Sequence, residues 1–162
     1  MSSKKILYYD IIIDSNLNIS SENFINTVNN ILSDKRTWKK YKFINMKNVD
    51  DNDKLSPMNI FKIILCSPKI IKKKCNFHGL SCTDMKEKIV YINSHRWKRG
   101  SKKSGYTLGD YRIYLINHEV GHILGHLHRK CDGKGNKIPV MNQATKGIGT
   151  CKPNVWPLQY EN

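Results

Sequence analysis

Residues 117–128 read N-H-E-V-G-H-I-L-G-H-L-H and hold four of the chain's six histidines. Within them His118, Glu119 and His122 spell H-E-x-x-H, and Gly125 and His128 extend the pattern to H-E-x-x-H-x-x-G-x-x-H. On an α-helix, residues four apart share a face at roughly 5–6 Å, so the imidazoles of His118 and His122 can aim at one point. Two histidines so placed can hold one zinc ion. Glu119, next in line, then falls beside the ion, within reach of a water at an open coordination position, which is where a general base belongs.

A third ligand cannot come from an uninterrupted helix. His126 would stand about 12 Å along the axis from His118, whereas zinc–nitrogen bonds are about 2.1 Å long. Gly125 resolves this, because a residue without Cβ can take the left-handed conformation that stops a helix and turns the chain back. His128, three residues beyond, is the expected third ligand, and one catalytic Zn2+ is the expected cofactor. Val120, Ile123 and Leu124 imply that another side of the helix is buried.

Thirteen residues after His128 comes Met141, in I-P-V-M-N-Q. The long zinc motif followed by such a methionine resembles the metzincin metallopeptidases, whose Met-turn passes beneath the metal as an apolar floor. The resemblance goes further. The order N-H-E-V-G-H-I-L-G-H-L-H, Cys131, P-V-M-N-Q-A-T-K, Cys151, P-N-V-W-P is similar to a family of secreted zincin-like domains known chiefly from actinobacteria. Upstream pieces are similar too: S-D-K-R-T-W (33–38), G-L-S-C (79–82), I-N-S-H-R-W (92–97) and D-Y-R-I-Y (110–114). The similarity spans 22–157. It implies an α+β, zincin-like (metzincin) fold with a small twisted, mainly four-stranded sheet, a backing helix, a long active-site helix and a short C-terminal subdomain carrying the Met-turn at Met141.

At 162 residues, 39% hydrophobic and 25% charged, the chain reads as one domain over 1–162, large enough to bury a core without metal or disulfides merely to fold. The formal charge of +15, with clusters at 69–74 and 96–103, raises contact with a polyanion. Only five of the 28 basic residues are Arg (Arg36, Arg96, Arg99, Arg112, Arg129), whereas base readout favours Arg forks, and no nucleic-acid-binding motif is present. Solvated lysines are the default expectation, and a polyanion contact through the Lys-rich surface is the alternative. The apolar run after M-S-S-K-K is interrupted by Asp10, too early for a signal peptide, and no stretch is long enough to span a bilayer. A monomer is expected.

Cys75 and Cys82 bracket a short loop, and Cys131 and Cys151 bracket the loop that carries Met141. Both pairs can be disulfides pinning loops near the site; free thiols or a second metal site are the alternatives, although neither spacing has the paired C-x-x-C of a structural zinc. The secreted family that the chain resembles implies the two disulfides and an oxidising compartment. The absent signal peptide argues the other way. Cys66, in I-I-L-C, reads as a small buried apolar residue.

The rest of the chain supplies strands and helices around the motif. Apolar, β-branched runs predict strands at 6–14, 41–46 and 59–66. Ser20 or Ser21 caps a helix with Phe24, Ile25, Val28, Ile31 and Leu32 at helical spacing, and Trp38 is a packing anchor beyond it. The D-D-N-D run within 48–56 is a polar loop, lacking the Gly and Glu of a calcium loop. Residues 69–74 read as a basic turn and 96–105 as a basic rim loop. The alternating 87–93 is a strand, to which the resemblance gives the role of the sheet edge that pairs with an extended substrate. Thr107 caps the long helix, with Leu108, Tyr111, Leu115, Ile123 and Leu124 as its buried positions. Trp156 and Pro157 close the core.

The expected function is zinc-dependent hydrolysis of a peptide bond in a peptide or protein substrate, with Glu119 as general base. Tyr106, Asn142 and Gln143 are candidates for a second oxyanion contact, and His126 for a supporting role. Two other classes remain: a binding module in which zinc is structural and the basic surface holds nucleic acid or another polyanion, and a hydrolase acting on a non-peptide amide.

Overall fold

The computed structural model of the chain describes residues 2–76 and 79–162. Five strands form one sheet: β1 (Lys5–Ile13), β2 (Tyr41–Asn45), β3 (Ile60–Cys66), β4 (Cys82–Asp84) and β5 (Ile89–Asn93), in the order β2-β1-β3-β5-β4. Neighbours are parallel except β4, which runs antiparallel to β5. Parallel neighbours need long crossovers, and α1 (Ser21–Ser33) supplies the one between β1 and β2. Ser20 starts that helix, its hydroxyl accepting the amide of Asn23 at 3.2 Å, and Phe24, Val28, Ile31 and Leu32 face inward as their spacing predicts. Each such side chain contributes roughly 1.5–3 kcal/mol relative to exposure.

Interior strands of a parallel sheet are apolar on both faces, and Ile63, Leu65, Val90 and Ile92 of β3 and β5 are fully buried. This corrects two expectations. The sheet has five strands rather than four, and β5 is an inner strand, because β4 covers its far side. Glu87 and Lys88, which gave 87–93 its alternation, precede the strand; the edge on that side is β4.

Two basic segments expected as turn and loop are helical. α2 (Pro68–Cys75) starts at Ser67, whose hydroxyl accepts the amide of Ile70, and turns Ile71 and Cys75 inward, leaving its lysines outside. α3 (Ser94–Arg99) is capped by the Asn93 side chain and buries Trp97 edge-on to Phe24, with the Arg112 guanidinium 4.9 Å from its ring. A 3₁₀ turn, Lys102–Ser104, follows. The long helix, α4 (Leu108–Ile123), begins at Thr107, which accepts the amide of Asp110. Tyr111 and Leu115 are buried as expected, but Leu108, in the first turn beyond the core, is exposed. No helix among the described residues is long and apolar enough to cross a membrane.

Candidate metal centre

The middle of α4 is enclosed: Tyr114, Leu115, Ile116, Asn117, His118, Glu119, Val120 and Gly121 are all buried. Asn117 explains part of that. Its side chain accepts the Thr37 hydroxyl at 2.8 Å and donates to the Val155 carbonyl, while its own carbonyl accepts the Trp38 indole N–H. Gly121 is required by packing, since a Cβ there would collide with the sulfur of buried Met141 and with the Trp38 ring.

Gly125 ends the helix as its position predicts, with φ +93°. The Gly125 amide donates to the His122 carbonyl and the His126 amide to that of Gly121, each at 3.0 Å. This paired closure is the Schellman arrangement, and it reverses the chain so that His128 returns to the helix. The His126 ring turns away, stacking on Trp38 with centroids 4.6 Å apart.

His118, His122 and His128 converge. Their ligand atoms lie within 4.8 Å of one another, and among the described residues this is the group able to hold a metal ion. His122 Nε2 and His128 Nε2 are 3.2 Å apart, close to the roughly 3.4 Å between two nitrogens on one tetrahedral zinc. His118 Nδ1 lies 2.8 Å from the Val140 carbonyl and His122 Nδ1 2.8 Å from the His126 carbonyl. A carbonyl only accepts, so both Nδ1 atoms carry the proton and both Nε2 atoms present lone pairs. Burial, aided by repulsion from His122, holds the His118 pKa down at about 3, and burial also lowers those of His122 and His128. Neutral imidazoles at neutral pH are what a divalent metal needs. The donor set fits zinc.

Glu119 is buried beside them, and burial pushes its pKa up to about 7 against the opposing hydrogen bond from Thr83. The Thr83 hydroxyl donates to Glu119 Oε2 at 2.7 Å. The sequence reading missed Thr83, whose partner is 36 residues away on another element.

A cleft of about 380 Å3 opens over these groups, lined by Thr83, Glu119 and the three histidines together with Leu80, Met85, Leu115, Leu127, Gln143 and Lys146. Of the three oxyanion candidates only Gln143 lines it. The Tyr106 hydroxyl donates to the Asn154 carbonyl, and the Asn142 amide to the Arg129 carbonyl. Trp156 packs at the core margin beneath the Arg36 guanidinium, 4.3 Å away.

Both expected cysteine pairs are at disulfide distance, with Cα separations of 6.0 Å for Cys75–Cys82 and 5.9 Å for Cys131–Cys151. The first fastens β4, at the residue before Thr83, to α2; the second closes the loop bearing Met141. Such pairs are compatible with an oxidising or secreted setting. Cys66 is buried and its thiol pKa is raised to about 11 by burial, as a small apolar residue requires.

The crystal structure of a zinc-dependent peptidase from Methanocorpusculum labreanum (strain Z) has a similar fold: TM-score 0.50 at 10% identity, covering 94% of this chain and 97% of that one. At that identity the likeness is one of fold. No curated protein matches the chain. The family described as "Protein of unknown function (DUF3152)" matches residues 1–156, nearly the whole length, and the chain belongs to that family.

Proposed function

We propose that the chain is a zinc metallopeptidase of metzincin type, one domain over 1–162, that hydrolyses peptide bonds with Glu119 as general base. The observation that carries this reading is the convergence of three neutral imidazoles beside a buried carboxylate at the wall of one cleft. Zinc held by His118, His122 and His128 supplies a Lewis acid that acidifies water and polarises a carbonyl. Glu119, buried beside the three histidines at the wall of the cleft, would take a proton from the attacking water and return it to the leaving amine, and a nearby cation would favour its ionised, basic form. Thr83 holds that carboxylate toward the cleft. Gln143 takes the contact to the developing oxyanion in this reading, because of the three candidates it is the one that lines the cleft.

Met141 takes the Met-turn role in this reading: it is buried against Gly121, and the adjoining Val140 carbonyl orients His118. The substrate strand adds to β4, the antiparallel edge whose Cys82 and Thr83 line the cleft. The fold shared with a peptidase so named supports the same reaction class. The test is digestion of a diverse peptide pool by the zinc-loaded protein. Cleavage that a chelator stops and zinc restores is expected; an intact pool at full zinc content contradicts the proposal.

A further inference from the structure

We propose that Glu161, the residue before the C-terminal Asn162, is a positioning residue for the metal centre that acts on His118 through one peptide group. Its carboxylate is buried, 3% exposed, and accepts three backbone amides: Met141 N at 3.0 Å on Oε1, and Val140 N at 3.1 Å and Leu158 N at 2.8 Å on Oε2. The Met141 N–H and the Val140 carbonyl belong to the same peptide unit, and that carbonyl is the acceptor of His118 Nδ1 at 2.8 Å. The order is therefore carboxylate, amide N–H, amide C=O, imidazole N–H, and then the ring nitrogen that faces the other two histidines.

Linked hydrogen bonds in a dry interior polarise one another. A negative charge accepting the amide N–H enriches the amide oxygen, which then binds the His118 proton more firmly, fixes the ring and makes Nε2 a better donor. The second bond, to the Val140 amide, holds the whole segment in register beneath α4. A neutral side chain of the same shape supplies less of both. Glu161 also lies outside residues 1–156, the stretch matched by the family. Asn162 fastens this segment, its side chain accepting the Lys39 amide at 2.6 Å and donating to the Leu158 carbonyl.

The inference rests on His118 being a metal ligand, and zinc affinity is its readout. The wild-type chain, Glu161→Gln and Val28→Ala are freed of metal and titrated with zinc against a chromophoric chelator, with the melting temperature of each metal-free protein measured alongside. Val28 is buried on α1, outside the cleft, and serves as the control for general loss of stability. Glu161→Gln is expected to weaken zinc binding about 10- to 100-fold, as loss of a ligand's supporting partner does. Val28→Ala is expected to lower the melting temperature and leave the zinc Kd at the wild-type value. A Kd for Glu161→Gln equal to that of wild type, or raised no more than that of Val28→Ala, overturns the proposal. Should Glu161→Gln not fold, Glu161→Asp, which keeps the charge on a shorter stem, is titrated the same way: weaker binding than in Val28→Ala supports the assignment and parity overturns it. Wild type that takes up no zinc removes the metal reading itself, a different failure from parity among variants that do bind.

Discussion

The Thr83 hydroxyl donates to the Glu119 carboxylate across 2.7 Å, joining the edge strand β4 to the helix that presents the metal ligands. The bond lowers the pKa of Glu119 against the rise caused by burial. Thr83→Val keeps the shape and removes the bond. The Glu119 pKa then rises further, and because a base acts in its ionised form, the acid limb of the kcat/KM profile moves to higher pH. We expect a fall in kcat/KM of roughly tenfold near neutrality, since one charged hydrogen bond is lost, and a smaller deficit at higher pH. A profile of unchanged shape counts against this coupling.

Glu119→Gln removes the base and keeps the volume. Turnover of a cleaved peptide should drop by about 10²- to 10⁴-fold, the range that general-base catalysis supplies. Zinc content, measured by atomic absorption, should stay at the wild-type level, because Glu119 is outside the group of three histidines. Retained turnover shows that the proton goes elsewhere.

In the metal-free protein, Glu119 and His118 pull stability in opposite directions with pH. The folded-state pKa of Glu119 is raised from 4.5 to about 7, so its contribution is full below pH 4.5 and lost as pH rises through 7. That of His118 is lowered from 6.5 to about 3, so its contribution is present above 6.5 and lost as pH falls toward 3. Glu119→Gln abolishes only the first effect. At pH 8 the metal-free variant should exceed wild type in stability by up to roughly 3 kcal/mol, from 1.36 kcal/mol per unit of displacement, and the gain should vanish at pH 4.5. Melting of both proteins in chelator at the two pH values measures it.

How much of this was legible beforehand follows from what each feature depends on. His118, His122 and His128 could be read because a helical period and one glycine fix where the three rings go, both local properties. The two cysteine pairs could be matched because each brackets a loop. β4 could not be found: three residues, C-T-D, carry no periodic signal, and without β4 the inner strand β5 passes for an edge. Lys-rich composition hid α2, whose capping Ser67 and inward Ile71 are the better guide. Thr83 and Glu161 were beyond reach for one reason. Their partners stand 36 and 20 or 21 residues away, joined only by the folded chain.

A glycine within α4 and one just past its end should fail differently. At Gly125 nothing lies within 4 Å of an added Cβ, but φ is +93°, so Gly125→Ala carries backbone strain of about 1–3 kcal/mol and displaces His128. We expect weakened zinc binding with modest loss of metal-free stability. Gly121→Ala drives a methyl group into Met141 and Trp38, and overpacking of this kind costs about 1–3 kcal/mol with or without metal. Chemical denaturation of both variants with and without zinc separates the two patterns, and identical behaviour contradicts the assignment of Gly125 to the ligand turn.

The most direct measurement of the central claim is X-ray absorption at the zinc edge of the stoichiometrically loaded protein. The arrangement of His118, His122 and His128 predicts one zinc per chain with nitrogen and oxygen neighbours only, at about 2.0–2.1 Å, and outer-shell scattering from three imidazoles. Failure to take up one equivalent, sulfur in the first shell, or scattering from a fourth imidazole contradicts it.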